Sequence, residues 1–144
     1  MKEVVIAGYL RTAQSRSRPR DPARDWFNKM RADELLGKLL PEAITKTGID
    51  AKEIDDFIVG CATGVSEQFS FGGRFPLFLA NLPETIAAKQ VDQQCGSAMA
   101  GIQIGFMEIA MDFADIVMVG GMEHMTRVPM GGPLIDRGAI KPNM

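Results

Sequence analysis

Residues 86–110 read Ile86-Ala87-Ala88-Lys89-Gln90-Val91, then Asp92-Gln93-Gln94-Cys95, then Gly96-Ser97-Ala98-Met99-Ala100-Gly101-Ile102-Gln103-Ile104-Gly105-Phe106-Met107-Glu108-Ile109-Ala110. The first six residues predict a strand. Three polar residues and a cysteine follow, and a helix is predicted from Gly96 to about Asp112. Apolar residues fall on nearly every side of that helix, whereas a surface helix shows one polar face. Gly101 and Gly105 stand four apart inside it, and a glycine in a helix costs about 1 kcal/mol relative to alanine. Close packing is the compensation to expect, with this chain's sheet on one side and a second cover on the other.

Outward from this segment the pattern alternates. Downstream, Ile116 to Val119 predicts a strand ended by Gly120-Gly121. Upstream, Asp56 to Cys61 predicts a strand, and Gly72 to Asn81 an apolar helix with Pro76 in its first turn. Ala32 to Thr47 carries Leu35, Leu36, Leu39, Leu40, Ala43 and Ile44 at helical spacing. Gly48 stands where a C-terminal cap belongs, and Pro41 should bend or weaken that helix. Val4 to Tyr9, apolar and β-branched, predicts a first strand. Between them Arg11 to Arg31 is a polar connection with six arginines, expected as a solvated loop pinned by Trp26 and Phe27; a phosphate-bearing ligand is the sharper alternative. The order β-α-β-α-β-α-β implies an α/β fold, a mixed, mostly parallel sheet with helices on both faces.

Composition narrows the classes. The chain has 144 residues, 46% of them hydrophobic and 24% charged, with a net charge of −2. These are values of a folded globular chain, not a disordered one. The near balance of charge gives no electrostatic reason for nucleic-acid binding. The N-terminus turns polar too soon for a secretory leader. The apolar stretch Ala98 to Ala114 is broken by Gln103, Glu108 and Asp112, so no membrane span is expected. Two cysteines without an export signal are expected as free thiols, with the cytoplasm as the default compartment.

Cys95 stands where a strand hands over to a helix. Unpaired backbone N–H groups and the positive end of the helix dipole favour a thiolate there. The place lies at the carboxyl edge of a parallel sheet, where α/β proteins put their ligands, and other covalent enzymes use the same strand–nucleophile–helix corner. A lone cysteine at a helix start is still more often a small buried residue with no role.

The words around it decide. Val91-Asp92-Gln93-Gln94-Cys95-Gly96-Ser97-Ala98-Met99-Ala100-Gly101-Ile102 resembles the nucleophile segment of the thiolase family, usually Val-Asn-Arg-x-Cys-x-Ser-Gly. Val4-Val5-Ile6-Ala7 leading to Arg11-Thr12, the opening Arg31-Ala32-Asp33-Glu34-Leu35, and Val119-Gly120-Gly121-Met122-Glu123-His124-Met125-Thr126 resemble the family in the right order. The last is similar to its Gly-Gly-x-Glu-x-Met-Ser/Thr turn. It favours thiolases over the ketoacyl synthases, which share the fold and the nucleophilic cysteine. Asp92, Gln93, Ala98 and Ala13 depart from the usual residues, which bears on subfamily and acyl specificity.

The resemblance implies a thiolase-like N-terminal α/β domain over residues 1–121, incomplete here, with 122–144 beginning a loop region. It implies acyl transfer between CoA thioesters, as synthesis or thiolysis of 3-ketoacyl-CoA in lipid metabolism. Cys95 would be the acyl-thioester nucleophile. No cofactor would be held permanently; acyl-CoA and CoA are substrates. The family's Gly-His-Pro histidine, Cys-x-Gly cysteine and Asn-Glu-Ala-Phe asparagine occur nowhere in these 144 residues. A chain or fragment carrying the C-terminal half is therefore the expected partner, with a homodimer or higher oligomer. No nucleic-acid or membrane partner is expected. The alternatives are a non-catalytic thiolase-like subunit or scaffold, or a truncated fragment. His124, the single histidine, lies outside a Gly-His-Pro context and is expected to be structural. Cys61 is expected as a core thiol. Met118, Met122, Met125 and Met130 could line an acyl channel or fill gaps.

Overall fold

The computed structural model describes residues 2–130. Its regular elements are α1 (Ala32–Thr47), β1 (Asp56–Gly60), α2 (Arg74–Leu79), β2 (Ala87–Val91), α3 (Ser97–Ala110) and β3 (Val117–Gly121). The three strands form one sheet in the order β2-β1-β3. Both pairings are parallel, with Ile58 opposite Lys89 on one side and Val119 on the other. The expected mixed character is thus absent among the described residues, where the sheet is wholly parallel.

The alternation of side chains along the strands divides the fold into layers. Phe57 and Val59 point to one face, where they pack with Leu36 and Leu40 of α1 and Leu77 of α2. Ile58 points to the other face, under α3. The close approach that the two glycines of α3 foretold is made by this sheet. A Cβ on Gly101 would lie 2.9 Å from Val119 Cγ1 and 3.3 Å from Ile58 Cγ2. Gly60 does the same from the sheet side: a Cβ there would lie 2.4 Å from the Ala98 nitrogen. Helices therefore lie on both faces, and the central strand β1 is buried from end to end.

α1 begins with the Arg31 N–H donating to Glu34 Oε2 at 2.8 Å. It ends at Gly48, whose φ of 70° is the left-handed cap and whose N–H donates to the Ile44 carbonyl at 2.9 Å. Pro41 does not interrupt it. The residue four positions earlier, whose carbonyl a proline ring crowds, is Gly37, and a glycine adjusts there most easily. α2 starts two residues later than expected, because Ser70, Phe71, Gly72 and Gly73 all have positive φ.

Two expectations fail. Val4 to Tyr9 forms no strand. The outer edges of β2 and β3 are unpaired among the described residues, and the segment adds to neither. Lys2 N–H donates to the Ala110 carbonyl at 3.2 Å. Farther on, Lys46 Nζ donates to the Tyr9 carbonyl at 3.1 Å and lies 5.1 Å from the centre of that ring. Val5, Ile6 and Tyr9 remain exposed. Trp26 likewise does not pin the polar loop, being 83% exposed. Its neighbours Asp25 and Phe27 do so instead, through bonds described below. Of the region expected to begin a loop domain, 122–144, residues 131–144 lie outside the described residues.

Candidate active site

Because the strands are parallel and in register, Gly60, Val91 and Gly121 finish side by side. The segments after them, 61–73, 92–96 and 122–130, gather at one sheet edge. Cys95 is brought there as expected, and its residue is exposed. The corner that carries it is held by short-range bonds. Asp92 Oδ1 accepts from Gln94 N–H at 2.9 Å. Ser97 Oγ accepts from Gln93 N–H at 2.9 Å and donates to the Gln94 carbonyl at 2.6 Å. Gln94 itself has φ of 50°, a left-handed conformation uncommon outside glycine. No side chain caps α3. At its start the Gly96 and Ser97 N–H groups donate to the Gln93 and Gln94 carbonyls, at 3.0 and 3.1 Å.

Cys61 is the contrasting thiol. It is buried in the core cluster with Phe57 and Leu36. Burial, with the Glu123 carboxylate 3.8 Å from its sulfur, pushes the thiol up to about 11. A protonated, buried thiol is a poor nucleophile.

Glu123 and Gln68 tie the segments together. Glu123 Oε2 accepts from Ala62 N–H at 2.8 Å, and its Oε1 accepts from Gln68 Nε2 at 2.8 Å. Gln68, fully buried, also donates to the Thr63 carbonyl at 2.8 Å and accepts from the His124 N–H. His124 is buried as well, and its Nε2 lies 3.0 Å from the Phe27 carbonyl. A carbonyl only accepts, so that nitrogen carries the proton. Thr126 donates to Asp25 and accepts from Arg18 N–H at 2.8 Å. Burial works against the Asp25 carboxylate, but bonds from Ser15, Thr126 and Phe27 N–H outweigh it and hold the group below its ordinary range. His124 is therefore a clamp on the polar loop, in keeping with its expected structural role.

The sequence quoted Glu123 within a motif without giving it a task, and passed over Gln68 and Asp25. A polar residue in a loop carries no periodic signal, and only its fully buried state reveals its work. Of the four methionines considered for a channel, Met122 is in the core and Met118 packs against it. Met130 lines a cleft of about 420 Å³ that also touches Val65, Phe69, Gln90, Asp92 and Gln94. Met125 lines neither of the two clefts described at this edge. Among the described residues no group of three or more His, Cys, Asp or Glu side chains is arranged to hold a metal ion. No described helix is long and apolar enough to cross a membrane.

Residues 4–141 match the family described as "Thiolase, N-terminal domain". Among curated proteins, a 3-ketoacyl-CoA thiolase of Acinetobacter baylyi is 35% identical over 90% of this chain and 32% of its own length. A 3-ketoacyl-CoA thiolase of Acinetobacter baumannii is 36% identical over the same shares. One of a Psychrobacter species is 32% identical, again over 90% of this chain and 32% of the relative. The chain thus spans about a third of the length of these relatives. With the parallel sheet, the cysteine corner at its carboxyl edge and a match over almost all residues, this chain belongs to the thiolase family and corresponds to its N-terminal domain.

Proposed function

We propose that the chain supplies the nucleophile of an acyl-CoA acyltransferase, with Cys95 as the residue that carries the acyl group. The observation that carries this reading is the exposed thiol at the strand-to-helix corner, inside the segment shared with 3-ketoacyl-CoA thiolases. The Cys95 sulfur attacks the carbonyl carbon of an acyl-CoA. The bond from that carbon to the CoA sulfur breaks, CoA leaves with a proton, and an acyl-cysteine remains. A second acyl-CoA, once it has lost an α-proton, attacks the acyl carbon; the bond from that carbon to the Cys95 sulfur breaks, the thiolate is released and 3-ketoacyl-CoA forms, and thiolysis is the reverse. CoA thioesters act as substrates, without a resident cofactor, and the cytoplasm is the compartment that suits free thiols.

The α-proton must go to a base and the enolate needs donors. Cys61 is buried and protonated, and the His124 side chain is tied to Phe27. A chain or fragment carrying the C-terminal thiolase half is the partner that supplies them, in a dimeric or larger assembly. The outer side of α3 supports this: Met99, Ile102, Phe106, Met107 and Met111 are each about half exposed or more. Apolar surface gains about 25 cal/mol per Å² on burial, and a patch of this kind marks an interface. Residues 1–121 form the domain that bears the nucleophile, and 122–144 lead into the loop region.

Incubation of the assembled protein with acetyl-CoA, followed by peptide mapping, tests the assignment. The acyl group is expected on the peptide containing Cys95. Acylation that persists in Cys95→Ala would sink it. A monomer of the 144-residue chain with full thiolysis turnover would sink the need for a partner half. An assembly that forms but never acylates Cys95 would favour the scaffold reading.

A further inference from the structure

We propose that the lobe formed by residues 11–29 is a docking surface for an acidic polypeptide segment, with Trp26 as its apolar anchor. The near balance of charge in the whole chain conceals a segregation. This lobe holds six cations, Arg11, Arg16, Arg18, Arg20, Arg24 and Lys29, against two carboxylates, Asp21 and Asp25, a net of +4. The chain has 16 Lys and Arg against 18 Asp and Glu, which leaves ten cations and sixteen carboxylates outside the lobe, a net of −6. The two carboxylates do little to neutralise the lobe. Asp25 is buried and accepts from Thr126 Oγ1 and from Phe27 N–H. Asp21 meets Arg24 at 3.8 Å, a contact between two exposed side chains that is worth little. The other five cations meet no carboxylate among the described residues.

The lobe is anchored at several points. Arg18 N–H donates to Thr126 Oγ1 at 2.8 Å, and Trp26 N–H donates to Ser15 Oγ at 3.1 Å. Arg127 Nη1 donates to the Asn28 carbonyl at 2.8 Å, beside the His124 bond to Phe27. A short 3-10 turn over Pro22–Arg24 shapes its tip. On this fixed backbone the Trp26 ring stays in solvent, although its neighbours Asp25 and Phe27 are bound to the body. Tryptophan and arginine are enriched at the centres of protein interfaces, where lysine is depleted, and five of the six cations are arginines. The guanidinium fork matches a carboxylate. A small phosphate-bearing ligand would need a cleft, and no basic residue lines either of the two clefts described above. A nucleic acid or a lipid surface spreads its charge beyond the lobe and would meet the acidic remainder, whereas an acidic segment can meet the lobe alone. Screening confines each such contact to about 8–10 Å. The inference does not depend on the role of Cys95.

Fluorescence anisotropy on the protein in its native assembly tests this, with a fluorescein-labelled peptide that repeats Glu-Glu-Leu as the probe. The peptide is expected to bind, and to bind less tightly as salt rises. The double reversal Arg20→Glu with Arg24→Glu should weaken binding by at least about tenfold. Trp26→Ala should weaken it by at least about fivefold. Lys52→Glu, a reversal outside the lobe, should change it by less than about twofold. All four side chains are exposed, so thermal melts of these variants should coincide with the parent's, which separates lost docking from lost fold. Cys95→Ala should bind the peptide unchanged, whatever becomes of acyl transfer. Absence of binding would overturn the proposal, and so would binding that survives both lobe substitutions. Tighter binding of an oligothymidine, or of phosphatidylserine vesicles, than of the peptide would overturn it in favour of a nucleic acid or a lipid surface. Binding by the isolated chain that vanishes in the assembly would mean that the C-terminal half covers the lobe, and would also overturn it.

Discussion

α1 and α3 cover opposite faces of the same sheet, yet they are finished differently. α1 buries Ala32, Leu36 and Leu40 against Phe57 and Val59, and carries Glu42 and Lys46 among its remaining positions. α3 buries mainly small residues, Ala100, Gly101, Gly105 and Ala110, which lets its backbone come close to the strands. Its large side chains, including Phe106 and Met107, are left on the outside. The amphipathic pattern of α1 itself is satisfied by this chain. On the α3 side the same energetics leave apolar surface unspent, and the chemically interesting thiol lies at the start of that helix. The difference teaches that α1 finds its cover within this chain, while α3 leaves apolar surface that only a further cover would bury.

The largest effect that could break this division concerns the two cysteines. In the assembled enzyme Cys95→Ala should lower acyl transfer by at least about a thousandfold, as removal of a nucleophile does. Cys61→Ala, on the closed side, should keep turnover within about threefold. Steady-state thiolysis rates of the two variants check this, and equal losses would erase the distinction.

Next comes stability. Leu36→Ala should cost about 2–5 kcal/mol, because it empties a site enclosed by Phe57, Gly120 and the rest of the core. Denaturant unfolding measures it. Phe106→Lys should change the stability of the chain itself by no more than about 0.5 kcal/mol. It should nonetheless weaken association with the C-terminal half at least tenfold, as the loss of an aromatic anchor does. Binding titration reads that directly, and an unchanged affinity would show that the outer face of α3 is not the covered one.

The smallest effect is a pH dependence. The Cys61 thiol, ordinarily near 9.0, is held at about 11 in the fold by burial and Glu123. Between those values the unfolded chain releases the proton while the folded chain keeps it. Stability contributed by this group is therefore intact below about pH 9 and declines as pH rises towards 11. Cys61→Ala should flatten that decline in thermal melts recorded from pH 8 to 11. The opposite slope would mean that the thiol is not desolvated.

Where local pattern is the cause, the sequence was legible. α1 follows from the spacing of its leucines and the glycine after it, with the observed bounds Ala32–Thr47. The parallel strands follow from their apolar runs and from the helices between them. Val4 to Tyr9 has the same local pattern and forms no strand, because a strand also needs a partner lying alongside it, which a local apolar pattern does not encode. Trp26 was expected to anchor on hydrophobicity alone, but the loop is anchored by the polar contacts of Asp25 and Phe27. At the candidate site, Cys95 stood out because a motif surrounds it. Gln68 did not, since its importance lies in bonds to Thr63, Glu123 and His124 from segments far apart in the chain.

The left-handed Gln94, with φ of 50°, has a consequence for how this chain can vary. In a single residue it turns the backbone out of β2 and towards α3, and it delivers the next residue, Cys95, to solvent. Exposure of Cys95 is thus written into the path of the main chain and owes little to which side chains fill the interior. Drift in the core can proceed without hiding the thiol. The corner itself has much less latitude: a β-branched residue at 94 would be driven away from that backbone conformation, whereas glycine or asparagine would accept it. The usual motif fixes no residue at this position, so the constraint falls on the backbone conformation and not on one side chain, while interior positions can change among residues of similar volume.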